Sequence, residues 1–166
     1  MARPQPPLVA DERTMLMAWL EFQRETMVQK IEGLSEEQAR FKPAPTANSL
    51  LGLITHLAGV EHWWFSECFA GNEDDFPTWG DPDDRDYDFK PADEHTIEWA
   101  LDLYRGYWTR GNDIAAAASL DDLCKTPWRG KTVSLRWILV HMIEETARHA
   151  GHADITRELI DGSIGV

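Results

Sequence analysis

Two stretches place reactive side chains where a protein core would ordinarily be apolar: ITHLAGVEHWWF at 54–65 and HMIEETARHAGHAD at 141–154. In the second, Ile138, Met142, Glu145 and His149 follow steps of four, three and four, so they share one helix face, and its last two members are polar. In the first, Leu53, His56, Val60 and Trp63 share a face with His56 in its middle. A carboxylate on such a face is costly unless it is paired. Glu145 and His149 lie one turn apart and can aim at one point, and His56 from a neighbouring helix would complete a set of two imidazoles and one carboxylate. That set suits zinc held by three protein ligands with an open position, and equally the two-histidine, one-carboxylate arrangement of ferrous iron. Spacing alone leaves a second reading open, in which Glu145 pairs with His149 or Arg148 and His56 is a hydrogen-bonded core histidine.

Other titratable groups surround this trio. His141 lies one turn before Glu145 and His152 three residues after His149. Both are expected to flank the site, positioning a ligand or relaying protons. His62 falls about 120° round the helix from His56 and should face elsewhere. His95 is expected at an exposed helix start, and Glu61 and Glu144 point off the seam.

Four long helices must position these groups. The first is read from Asp11 to Gly33 on the stripe Leu16, Leu20, Met27, Ile31 and Leu34, with Asp11 as cap and Gly33 as stop. SEEQ at 35–38 has capping-box spacing and predicts a further short turn. The second runs from Asn48 or Ser49 to Ala70, and its internal Gly52 and Gly59 call for a close backbone approach or for room beside His56. The third runs from Asp93 to Ala118 with Ile97, Leu101, Tyr104 and Trp108 inward, and the fourth from Ser134 to Ile160. Residues 71–92 form a long acidic connection. Within it DPDDRDYD resembles a calcium loop but lacks the glycine at position six and the glutamate at position twelve, so a solvated acidic loop is expected. The fold class is therefore all-α, a four-helix bundle with a long crossover connection, forming one domain over 1–166 whose first ten or so residues are an extended arm.

Composition narrows the partners. The 166 residues carry a formal charge of −13, which disfavours nucleic acid and anionic membrane surfaces. MARPQPPLVADER lacks the apolar run of a signal peptide, and no stretch approaches a membrane span, so a cytoplasmic location is expected. Cys68 and Cys124 then read as reduced structural thiols. The eight tryptophans are expected in the core and in pocket walls, with Trp63 a pocket candidate.

Over residues 10–162 the chain resembles the DinB-like four-helix bundles, on the strength of HLAGVEHWWF, ADERTMLMAWLEFQRETM and WRGKTVSLRWILVHMIEETARHAGHADITRELIDG. It looks most similar to the branch of mycothiol-dependent enzymes, such as maleylpyruvate isomerase and thiol S-transferases. That family's last helix usually reads H-x-x-x-H-x-G-Q. Here ETARHAGH puts Glu145 at the first histidine and His152 at the glutamine, while His149 and His56 match the other metal histidines. The isomerase branch is similar in using a glutamate there. The resemblance implies a metal site of His56, Glu145 and His149, with zinc first and nickel or iron as alternatives. It also implies a thiol cosubstrate, mycothiol or a relative such as bacillithiol or glutathione. A divalent metal can bind and deprotonate such a thiol, whose thiolate then attacks an electrophilic small molecule. Arg148 and Arg136 are candidates to meet an anionic thiol. A homodimer through helix faces is the assembly envisaged. Two alternatives stand beside the transferase or isomerase: a non-catalytic, stress-related metal-binding bundle, and a different metalloenzyme, either a zinc hydrolase or a ferrous oxygenase.

Overall fold

The computed structural model describes residues 3, 5–44, 48–73, 76–77, 79, 83–84 and 86–165. Its helices are α1 (Glu12–Ile31), α2 (Glu36–Ala39), α3 (Leu50–Glu61), α4 (Ile97–Ala116) and α5 (Leu135–Asp161). A π-helical segment, His62–Phe69, continues α3, and a 3-10 turn, Tyr87–Phe89, sits in the crossover. Helix α1 packs against α5 and α3 against α4, and α3 also touches α1 and α5. This is the expected all-α bundle with a long α3-to-α4 crossover. Among the described residues no strand forms; isolated bridges Leu123–Ser134 and Trp128–Lys131 tie the α4–α5 connection. None of the helices searched is long and apolar enough to cross a membrane.

Side-chain caps set the helix starts. Asp11, Ser49, Thr96 and Ser134 accept hydrogen bonds from the amides of Thr14, Gly52, Trp99 and Trp137. The Thr96 cap explains why α4 begins at Ile97 and not at Asp93. Ser35 and Gln38 close the capping box of α2 in both directions. Gly162, with φ 78°, ends α5 in the left-handed conformation that favours glycine. The second helix does extend to the expected end, but its last eight residues are π-helical. That wider turn changes which side chains share a face.

The core falls into two clusters. One gathers Met27, Ile31, Leu53, Leu57 and Tyr104 with the small Ala150 and Ala153 of α5. The other gathers Leu20, Phe65, Leu135, Ile138 and Met142. Along α5, Glu145 and His149 fall between Met142 of the second cluster and Ala150 of the first, so polar groups occupy the seam between two apolar masses.

A fully buried ion pair locks α1 to α3. Arg24 donates from Nε and Nη2 to the two Glu61 carboxylate oxygens at 2.6 Å each, and from Nη1 to Asn112 Oδ1 of α4 at 2.8 Å. Such a paired, bidentate geometry is what allows two charges to lie in a core. Glu61 therefore stays off the Glu145–His149 seam, as expected, and turns inward to Arg24. The tryptophans divide more than expected: Trp64, Trp79 and Trp108 are buried, whereas Trp19 and Trp137 are exposed. The described residues before Asp11 are non-helical, and the Arg3 guanidinium rests over the Phe22 ring, 4.3 Å from its centroid.

Candidate metal centre

The α3 helix presents His56 toward α5, where Glu145 and His149 stand one turn apart. His56 Nε2 lies 3.5 Å from Glu145 Oε1, and His149 Nε2 lies 3.1 Å from the same oxygen. One ligand atom from each of the three falls within 4.8 Å of the others. Donors bonded to zinc at about 2.0–2.1 Å in a tetrahedron stand roughly 3.3–3.4 Å apart, and the two observed separations straddle that figure. The residues present thus fit a divalent ion. The 3.1 Å contact is also a good hydrogen bond in its own right, so the cluster can stand as a polar network between the two core masses.

The surroundings fix the position and charge of these groups. Asp88 Oδ2 lies 2.8 Å from His56 Nδ1, which leaves Nε2 facing Glu145. Phe89 stacks on the His56 ring with centroids 3.8 Å apart and fixes its plane. Burial opposes charge on His56, but hydrogen bonds to Asp88 and Glu145 outweigh it, and its pKa rises above the ordinary 6.5. Hydrogen bonds from His149 first, then from His56, hold the Glu145 carboxyl far below its usual range. His149 is buried, and its Nδ1 has no hydrogen-bond partner among the described residues.

Asp88 and Phe89 belong to the acidic connection that the sequence suggests is solvated. That expectation is corrected: the turn Tyr87–Phe89 docks on α3. Thr55 Oγ1 donates to the Asp88 carbonyl at 2.6 Å. A Cβ on Gly52 would stand 2.3 Å from the Phe89 carbonyl oxygen. The close approach inferred at Gly52 is therefore the backbone of this turn. Gly52 and Gly59 were the one signal in the sequence that something lies against His56; nothing singled out Asp88 from the other acids of that stretch. Asp81, Pro82 and Arg85 of the calcium-like motif lie outside the described residues.

The remaining candidates sit around the trio without joining it. His141 packs between Trp137 and Trp64, with ring centroids 5.1 and 4.7 Å away, and its Nδ1 is 3.6 Å from Glu144. His152 is exposed, its ring edge-on to His149 with centroids 5.6 Å apart. Arg148 is exposed and pairs with Glu144. Arg136 bonds Glu12 and Asp121, tying α5 to the start of α1 and to the preceding connection. His95 is half-buried, not exposed, because it stacks on Trp99 at 3.8 Å. His62 stays out of the trio, as expected, and lines a cavity with Phe76 and Tyr87. Cys68 and Cys124 are buried, and burial, with Cys124 alongside, pushes the Cys68 thiol up to about 12. Such a thiol is a poor nucleophile, in keeping with a structural part.

Comparison with known proteins agrees with this architecture. A solved structure, described as that of a conserved protein from Enterococcus faecalis, superposes with a TM-score of 0.68 at 18% identity, covering 93% of this chain and 100% of that one, which speaks to the fold. No curated protein matches by sequence. The family model described as mycothiol S-transferase matches residues 15–162, so the chain belongs to that DinB-like family.

Proposed function

We propose that the chain transfers a low-molecular-weight thiol, mycothiol or a relative, to an electrophilic small molecule, with a divalent ion, zinc foremost, held by His56, Glu145 and His149. The observation that carries this reading is the convergence of those three donors at 3.1 and 3.5 Å in a member of the mycothiol S-transferase family. A bound divalent ion supplies a Lewis acid that lowers the pKa of a thiol. The chain's own residues do the rest. Asp88 keeps the His56 proton on Nδ1, so that Nε2 offers its lone pair. Phe89 shields that imidazole from water, and Glu145 stays ionised across the physiological range. His152 and Arg148 stand on the exposed side of α5 as proposed contacts for the thiol. His141 is a proposed contact in the aromatic cluster beside them. Cys68, with its raised pKa, leaves the sulfur chemistry to the cosubstrate.

The test uses untagged protein. Metal content and conjugation of mycothiol, bacillithiol and glutathione to an electrophile panel are measured for wild type and Glu145→Ala. Loss of metal and turnover together is expected in the variant. A metal-free wild type, or a variant as active as wild type, would overturn the reading.

A further inference from the structure

Beside the trio, on the other side of Asp88, lies a cavity of about 270 Å³. The π-helical segment builds its floor. Because that helix is wider than an α-helix, residues five apart meet, and His62 Nε2 lies 2.9 Å from Glu67 Oε1. The carboxylate approaches out of line, so neither ring nitrogen of His62, which is 2% exposed, has an aligned hydrogen-bond partner among the described residues. Trp63, Trp64, Phe76 and Tyr87 give aromatic walls. The cavity is thus flat-sided, with aromatic walls, two carboxylates and one buried imidazole able to donate to a ligand.

Its charge is one-sided. Glu67 and Asp88 both line it, and none of its described lining residues is Lys or Arg. An anion there would face two carboxylates with no cation among the described lining residues to meet it. We infer that this cavity is a small-molecule site of its own, set apart from the trio by Asp88, and that it takes a neutral or cationic planar compound, a polar atom of which accepts from His62, and discriminates against anionic ones. The cavity's ligand preference stands apart from the proposed transferase reading. Asp88 joins the two places, since its carboxylate both lines the cavity and holds His56.

The experiment is a binding titration of the full chain followed by NMR, with nitrobenzene and 4-nitrobenzoate as probes that differ by one carboxylate. Nitrobenzene should shift signals of residues 59–67, including the Trp63 and Trp64 indoles, and bind at least tenfold more tightly than 4-nitrobenzoate. Glu67→Gln keeps the shape and removes one charge, and should narrow that ratio several-fold. A His62→Phe variant should weaken nitrobenzene, which loses its donor, while a toluene control is unaffected. Shifts centred away from 59–67, equal affinity for the two probes, or an unchanged ratio in Glu67→Gln would each overturn the inference. If the binding pattern holds but no thiol is ever transferred, the transferase reading fails and the cavity assignment survives; turnover with binding elsewhere gives the reverse.

Discussion

Asp88 provides the sharpest test of how the centre is built, because it touches no proposed metal donor except through His56. The carboxylate and the imidazole it holds are only 18% and 15% exposed, so the 2.8 Å contact is partly shielded from water and should count. Removing a carboxylate behind a metal-binding histidine costs about 10–100-fold in metal affinity, or about 1.4–2.7 kcal/mol. Asp88→Ala should fall near the upper end, since it loses both the hydrogen bond and the charge. Asp88→Asn can still accept from Nδ1 and should fall near the lower end. The Asp88 carbonyl also accepts from Thr55, so Thr55→Val controls for loosening of the turn and should cost less than either. Affinity is read by zinc titration against a competing chelator, with thermal melts of the metal-free proteins to register folding. Zinc affinity in Asp88→Ala within about twofold of wild type would refute the argument, for it would mean that His56 needs nothing to orient it.

Three further outcomes follow. With a chelator present, the cluster's contribution to stability should peak between pH 4.5 and 6.5: the raised pKa of His56 gives stability that is full below 6.5 and lost as pH rises through its folded value, while the lowered pKa of Glu145 gives stability that is full above 4.5 and lost as pH falls through its folded value. With zinc the trend above 6.5 reverses, because metal displaces the His56 proton, and melts across pH 4–8 with and without zinc read both. Arg24→Met should cost about 3–5 kcal/mol by stranding Glu61, and a further Glu61→Leu should restore most of it, as denaturant unfolding of the single and double variants would show. Gly52→Ala should cost about 1–3 kcal/mol and weaken zinc binding, because its new Cβ meets the Phe89 carbonyl, which is backbone and cannot swing aside; an unchanged melt would refute that packing.

The sequence revealed the helices because their signals are local. Caps at Asp11, Ser49 and Ser134 and the stop at Gly162 need only a few residues to act. The trio was legible for a related reason: a polar residue on an apolar seam contradicts its own neighbours at a fixed spacing. Arg24 breaks the same rule, filling the gap between Leu20 and Met27 on the α1 stripe, but an apolar stripe carries no mark of a charged residue within it. Its partner Glu61 appears off the metal seam by angle, and only the third dimension joins the two. The π-helical segment was not legible, since no composition rule separates it from an α-helix and its effect, the meeting of His62 and Glu67, depends on a changed turn width. Asp88 was hidden among acids that differ only in where a long loop happens to fold.

The fold of that loop governs the proposed centre. Two of its three donors sit on one rigid helix, and the third on a helix whose neighbouring glycine leaves a groove for the crossover. The groove admits the turn Tyr87–Phe89, and the turn brings the carboxylate and the ring that hold His56 in place. An ion held by the trio would therefore favour the docked turn, and the docked turn would favour the ion, by the same free energy in both directions. The turn also supplies a wall and a charge to the aromatic cavity, so the element that orients the metal donor also sets what the neighbouring pocket accepts. One short turn of the crossover thus joins the proposed metal site to the neighbouring cavity.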